Sequence, residues 1–198
     1  FSRISSWGNF NEDFRVVASD TPNPDFSSDN SEYYNRPFSF KELQFAISKT
    51  KHTSPGEDAV QSDMIRMLPS KTLASLLKIY NSIWSTGVLP SSWSSSVVVP
   101  VGKPGKDPQI PVSYRPIALT SVLCKIFERM VNLRLVFHLE SNNLISPSQY
   151  GFRKNHSTID PLLKLSTHIQ DGFVQGKHTI GVFFDLEKAY DTTWRRGI

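Results

Sequence analysis

The chain has 198 residues, 38% of them hydrophobic and 20% charged, which suits one sizeable core and excludes a disordered or fibrous chain. No run nears the ~18 apolar residues of a membrane span, no basic segment with an apolar h-region opens the chain, and a single cysteine, Cys124, excludes a disulfide framework or a cysteine-built zinc site. The net charge of +4 is uneven. Residues 101–154 carry eight Lys/Arg against three acids, whereas residues 1–50 carry five against seven. A basic segment of that kind suits a phosphate-rich partner, because each neutralised phosphate releases a condensed counterion; a solvated basic face is the alternative.

Residues 1–37 are rich in Ser, Asn, Asp and Pro without a sustained period, and read as a mostly irregular linker or arm. The chain opens on Phe1 rather than Met, so its amino terminus is not expected to be a natural start. The globular part is expected from residue 38, where Ser39 and Glu42 form a capping-box pattern before Leu43, Ala46 and Ile47. A loop through Thr53-Ser54-Pro55-Gly56 leads to a short helix ending before Pro69. Ser70 reads as the cap of a stronger helix with Leu73, Leu76, Leu77, Tyr80 and Trp84 on one face, stopped at Gly87. Residues 96–101 are short and β-branched, hence a strand, and residues 102–111 form a loop heavy in Gly, Pro and Lys. A long helix is predicted over 121–141, with Ile126, Met130, Leu133 and Phe137 as its apolar stripe and Cys124 as a buried structural thiol. Another is predicted over 157–176, with Leu162, Ile169 and Phe173 inward. Residues 179–184 read as a buried strand delivering Asp185 at its end. Helices with few strands give an α+β fold class.

Three blocks carry chemistry. An apolar run ending in Asp185 sets a carboxylate where a hard cation such as Mg²⁺ could reach it, since Mg²⁺ takes one or two carboxylates plus phosphates and water; a strand-end acid is also commonly a helix cap or a solvated loop residue. Lys103 and Lys106 on a Gly/Pro loop, followed by Arg115 beside Pro116, offer point charges and a planar fork suited to a triphosphate; the same residues suit a basic surface hairpin. Gln149-Tyr150-Gly151-Phe152-Arg153 sets an aromatic and a cation beside a glycine, as base stacking and phosphate contact require, or as a packed turn does.

In this order, the blocks resemble the reverse transcriptases of non-LTR (LINE-type) retrotransposons and, more distantly, those of group II introns. The resemblance runs from about residue 38 to the end of the chain. It is carried by Thr53-Ser54-Pro55-Gly56, Trp93, Lys103-Pro104-Gly105-Lys106, Ser113-Tyr114-Arg115-Pro116-Ile117, Gln149-Tyr150-Gly151-Phe152-Arg153 and Phe184-Asp185-Leu186-Glu187-Lys188-Ala189-Tyr190-Asp191. It implies an RNA-directed DNA polymerase of right-hand type, with residues 38–198 as fingers and the first, incomplete part of the palm. It implies two Mg²⁺ ions in the complete enzyme, Asp185 as the first catalytic carboxylate, and Leu186 as a carbonyl touching metal. It makes Tyr190 the gate against a ribose 2′-hydroxyl, Arg115 and either Lys103 or Lys106 the grip on the dNTP, and Gln149, Gly151, Phe152 and Arg153 a contact to the template. The partners implied are an RNA template, a DNA primer and dNTP, with an endonuclease often fused upstream. A nuclear site of action follows from the family alone.

The chain departs from the family in one large respect: no aromatic-Ala-Asp-Asp hairpin occurs in its 198 residues. These residues alone are therefore expected not to polymerise DNA. A non-enzymatic nucleic-acid-binding remnant is one alternative; an unrelated metal-dependent nuclease built on Asp185, Glu187 and Asp191 is another.

Overall fold

The computed structural model describes residues 11–22 and 31–186. The chain divides into two units, one of residues 29–146 and the other of residues 1–28 with 147–198. Among the described residues the structure is helix-rich, with one small antiparallel sheet, in keeping with the α+β expectation.

The helices are α1 (Glu12–Asp20), α2 (Phe40–Ser48), α3 (Ser62–Arg66), α4 (Ser70–Thr86), α5 (Val122–Ser141) and α6 (Ile159–Val174). Local chemistry explains several of their ends. The Ser39 hydroxyl accepts from the Glu42 N–H while the Glu42 carboxylate accepts from the Ser39 N–H at 2.7 Å, so two orphan donors of α2 are satisfied reciprocally. Gly87 stops α4 in the left-handed region at φ 68°, its N–H donating to Ile83 O, a conformation that costs glycine nothing. At the other end of α4, Pro69 occupies the capping position expected for Ser70, which is instead the first helical residue. Ser121 caps α5 by accepting from the Leu123 N–H through its hydroxyl oxygen.

The core lies in the first unit. Leu43, Ala46 and Ile47 of α2 pack with Leu73, Tyr80 and Ile83 of α4 and with Val122, Ile126, Phe127 and Met130 of α5. Phe38, Tyr80, Trp84, Trp93 and Phe127 make an aromatic cluster, with ring centroids 5.1 Å apart for Phe38–Trp84 and 5.6 Å for Tyr80–Phe127. Tyr80 is completely buried. Its hydroxyl donates to Leu123 O at 2.8 Å, and burial pushes its pKa well above the ordinary tyrosine range. The expected α5 stripe is half right. Ile126 and Met130 are buried, whereas Leu133 and Phe137, on the same face farther along, are exposed, because the 20-residue helix, about 30 Å long, extends beyond the facing core.

Strand β1 (Val97–Gly102) pairs with β2 (Tyr114–Leu119) in antiparallel register, Val97 opposite Leu119 and Pro100 opposite Pro116. The first strand was legible in the β-branched run; its partner was not, since Arg115 and Pro116 break any strand pattern. Two prolines facing each other omit both ladder donors at one rung, which a two-stranded ribbon tolerates because each strand is an edge.

Two ordered pieces lie within the stretch expected to be mostly irregular. One is α1, capped by the Asn11 side chain, which accepts from the Phe14 N–H at 2.7 Å. The other is the turn Tyr33–Asn35 and the few residues after it. Asn81 clips Phe38 with both amide atoms, Oδ1 accepting from its N–H at 2.6 Å and Nδ2 donating to its carbonyl at 3.0 Å, and the Trp84 indole donates to Asn35 O.

In the second unit two expectations fail. Residues 179–184 form no strand, and Ile180, Val182, Phe183 and Phe184 are exposed. A strand requires a ladder partner, and among the described residues none pairs with this run. The α6 residues expected to point inward are likewise exposed at Leu162 and Phe173, and no residue of α6 is buried. The helix forms all the same: the Asp160 carboxylate accepts from the Ser157 N–H at 2.7 Å and the Ser157 hydroxyl from the Ile159 N–H.

The Thr53–Gly56 turn has a packing role. A β-carbon at Gly56 would sit 2.7 Å from Ser121 N and 2.8 Å from Thr120 C, both main-chain atoms, and Asp58 accepts from the Ser121 hydroxyl at 2.6 Å. The loop is thus pressed onto the start of α5. Gly56→Ala is expected to cost about 1–3 kcal/mol by overpacking, read as a lower urea midpoint at unchanged m-value; an unchanged midpoint refutes this account of the turn.

Candidate active site

Asp185 follows the exposed run, and its carboxylate, also exposed, makes no hydrogen bond or ion pair among the described residues. Leu186 is exposed beside it. Tyr190, together with Glu187 and Asp191, lies outside the described residues. No group of three His, Cys, Asp or Glu side chains among the described residues is arranged to hold a metal ion. The donor chemistry of Asp185 nonetheless fits magnesium, which uses one or two free carboxylates and completes its shell with water and phosphate oxygens.

The hairpin carries the cationic residues. Arg115 stands opposite Val101, and the ladder extends one step beyond β1, Lys103 N–H donating to Ser113 O at 2.7 Å. By the two-residue alternation of a pleated ribbon, residues 101, 103 and 115 share a face. The Lys103 ammonium donates to Val112 O at 2.8 Å, across the loop, while the Lys106 ammonium has no partner among the described residues. The loop is internally bonded: Asp107 Oδ1 accepts from the Gln109 N–H at 2.9 Å, the Tyr114 hydroxyl donates to Pro108 O at 3.0 Å, and Gly105 takes the left-handed region at φ 70°.

The third block is a self-bonded turn. Gln149 Nε2 donates to Gly151 O at 3.1 Å, and Arg153 donates to Gln149 O at 3.2 Å. Phe152 sits at φ 60° with its ring wholly exposed, a left-handed position that non-glycine residues rarely occupy. Lys103, Lys106 and Arg115 belong to the first unit, and Gln149, Gly151, Phe152, Arg153, Asp185 and Leu186 to the second.

Two residues that could carry chemistry by type prove structural. Arg134, one of the eight cations of the basic segment, uses all five guanidinium donors inside the fold. It grips Glu42 through Nε at 2.7 Å and a terminal nitrogen at 3.1 Å, and donates to the carbonyls of Tyr34, Arg36 and Pro37. Its guanidinium also lies 4.0 Å from the Phe38 ring centroid. Cys124 is buried, and burial, with Glu128 beside it, pushes its thiol pKa up to about 11, the condition of an inert structural thiol.

Burial raises the Glu42 pKa, but hydrogen bonds from Arg134 and Ser39 outweigh it and leave the carboxyl below its usual range. A depressed folded pKa gives stability that is present above the unfolded value, about 4.3 for Glu, and is lost as pH falls through the folded value. The urea midpoint is therefore expected to drop below about pH 4, and to drop less in Glu42→Gln; equal slopes in the two proteins refute the assignment.

Residues 101–197, which contain the hairpin's loop and second strand, α5, the Gln149–Arg153 turn and Asp185, match the family model described as Reverse transcriptase (RNA-dependent DNA polymerase). The chain is 34% identical over 164 residues to a Drosophila melanogaster protein named "Probable RNA-directed DNA polymerase from transposon BS", covering 82% of this chain and 18% of that protein. It is 33% identical over 145 residues to the RNA-directed DNA polymerase from mobile element jockey of the same organism, covering 73% of this chain and 16% of that protein. The jockey polymerase of Drosophila funebris is 31% identical over 163 residues, 82% of this chain and 18% of its own length. The chain thus spans less than a fifth of the length of these relatives. With the family's model matching residues 101–197 and these relatives aligned over 73–82% of the chain, the chain belongs to the reverse transcriptases of non-LTR retrotransposons.

Proposed function

We propose that these residues form the fingers and first part of the palm of a retrotransposon RNA-directed DNA polymerase. The reaction joins a primer 3′-oxygen to the α-phosphorus of a dNTP and releases pyrophosphate, with RNA as template. The observation that supports the reading is that one family model spans residues 101–197, a range that includes Lys103, Lys106, Arg115, Gln149, Phe152, Arg153 and Asp185.

Asp185 offers a carboxylate unbonded among the described residues to the metal side of the dNTP, with Leu186 adding its carbonyl. When bound, magnesium neutralises the triphosphate; the chain's own residues position and charge-balance the reactants. Arg115 grips two phosphate oxygens through its planar fork. Of the two lysines, Lys106 has the ammonium with no partner among the described residues, while Lys103 closes the hairpin loop with one donor and keeps two for phosphate. Phe152 presents an open ring for a template base, with Arg153 beside it for the backbone, and Gln149 and Gly151 hold that turn. Tyr190 acts as the barrier to a 2′-hydroxyl.

RNA-templated primer extension tests the reading, run with a polymerase of the relatives' length that carries these residues. Incorporation of dNTP dependent on RNA is expected, and its absence at any magnesium concentration overturns the proposal. The 198-residue chain by itself is expected to bind RNA in a salt-sensitive way without extending a primer, as the nucleic-acid-binding alternative also requires; extension by the longer polymerase separates the two.

A further inference from the structure

A second cationic feature lies apart from the hairpin, between the segment after α2 and the outer face of α5. A cavity of about 490 Å³ is lined there by Lys51, Thr53, Lys125, Glu128, Arg129 and Asn132, among others. Lys125 and Arg129 stand four residues apart, so one turn of α5 presents both toward the same space. Each is half-buried, yet neither side chain has a hydrogen bond or an ion pair among the described residues, and the exposed Lys51 has none either.

Partly desolvated cations without a counter-ion are costly, and the wall does little to offset this. Glu128 is the one acid among the described lining residues; it is exposed and makes no ion pair among them, so three cations share a wall with a single carboxylate. Thr53 and Asn132 add neutral donors. None of the described residues lining the cavity is aromatic, so these offer nothing for a base to stack on. Its chemistry is that of a phosphodiester backbone, held by charge and simple hydrogen bonds and read without regard to sequence.

We propose that this groove binds backbone phosphates of a single-stranded RNA, with Lys125 and Arg129 as the main contacts and Lys51 reaching in from the loop. The identity of the polyanion rests on the polymerase reading above. The groove is a separate grip from the triphosphate residues, placed on the same helix whose start is fixed by Gly56 and Asp58. It makes affinity for RNA depend on α5 independently of nucleotide binding.

The test is fluorescence anisotropy of a labelled RNA oligonucleotide with the full 198-residue chain across a salt series. The proteins compared are wild type, Lys125→Gln/Arg129→Gln, Lys51→Gln, and a charge-matched control, Lys71→Gln/Lys78→Gln, on the exposed side of α4. On single strands, each phosphate that is no longer neutralised lowers the slope of log K against log salt by about 0.7. The α5 pair is therefore expected to flatten the slope by about 1.4 and to weaken binding roughly 25-fold at ~0.1 M salt, with Lys51→Gln showing about half that change in slope. The urea midpoint of each variant separates weakened binding from unfolding, and Lys51→Gln, on a loop, keeps the test available if the α5 pair unfolds. The inference is overturned if the α4 control weakens binding as much as the α5 pair does. It is also overturned if the α5 pair keeps the wild-type slope, or if inorganic phosphate at millimolar concentration competes with the oligonucleotide equally well in wild type and variant. Failure of RNA-templated extension in the longer polymerase refutes the polymerase reading and leaves these slopes untouched. A normal slope in the α5 variant beside an active polymerase refutes the groove alone.

Discussion

Asp185→Ala, in a polymerase of the relatives' length, is expected to lower RNA-templated nucleotide addition by about 10³-fold or more while leaving stability within about 0.5 kcal/mol. The two halves of that expectation have different origins. Phosphoryl transfer leaves the protein little covalent chemistry to perform, so most of the acceleration is positioning and charge neutralisation; removing an anionic ligand from the reacting centre subtracts several kcal/mol from it, at about 1.36 kcal/mol per factor of ten. The fold, by contrast, does not lean on Asp185, which is exposed and unbonded among the described residues. Single-turnover rates measure the first half and urea denaturation of the 198-residue chain the second. Residual activity within tenfold of wild type removes Asp185 from the chemistry. A large loss of stability with inactivity assigns it a structural role instead.

Arg134→Ala has the largest expected effect on stability, about 3 kcal/mol, toward the lower end for breaking a buried pair. The guanidinium side chain is 14% exposed and its partner Glu42 33%, so solvent softens the loss at the carboxylate more than at the arginine. Beyond the ion pair, the carbonyls of Tyr34, Arg36 and Pro37 lose their donor, and Phe38 loses a cation over its ring. Arg134→Lys retains a charge but supplies three donors from one point, and cannot span acceptors spread across the whole guanidinium fork; it is expected to recover less than half of the deficit. Urea midpoints measure both. A double-mutant cycle with Glu42→Gln isolates the pair; a coupling near zero removes the bridge as the cause. Amide exchange at Phe38 is expected to accelerate in Arg134→Ala, because the Asn81 and Trp84 clips on residues 35–38 remain but the widest grip is gone.

The residues of the candidate site were more legible than their setting. Lys103, Lys106, Arg115, Gln149, Phe152 and Asp185 could be singled out because glycines, prolines and charges occur at short spacings that are visible along the chain. The bonds they make were not visible. That Lys103 closes its own loop onto Val112 while Lys106 has no partner among the described residues follows from the way the strands pair, and spacing alone left the two lysines equivalent. The run at 179–184 shows the converse. Its composition is that of a strand, but strand formation is a property of pairs, and β-branched residues without a ladder remain exposed.

What the sequence determined unaided were features built within one turn of chain: the Ser39–Glu42 box, the Gly87 stop, the start of α5 at Ser121 and the ordered blocks that mark the family. Each needs partners only two to four residues away, so spacing suffices to write them. The tertiary structure alone decided that Arg134 serves the core rather than a phosphate, that Asn81 and Trp84 tie down residues 35–38, that Gly56 leaves no room for a β-carbon, and that Lys125 and Arg129 line one cavity without an ion pair among the described residues. Those facts depend on acceptors 43 to 100 residues distant, or on their absence, and such distances are set by how helices pack rather than by any local pattern.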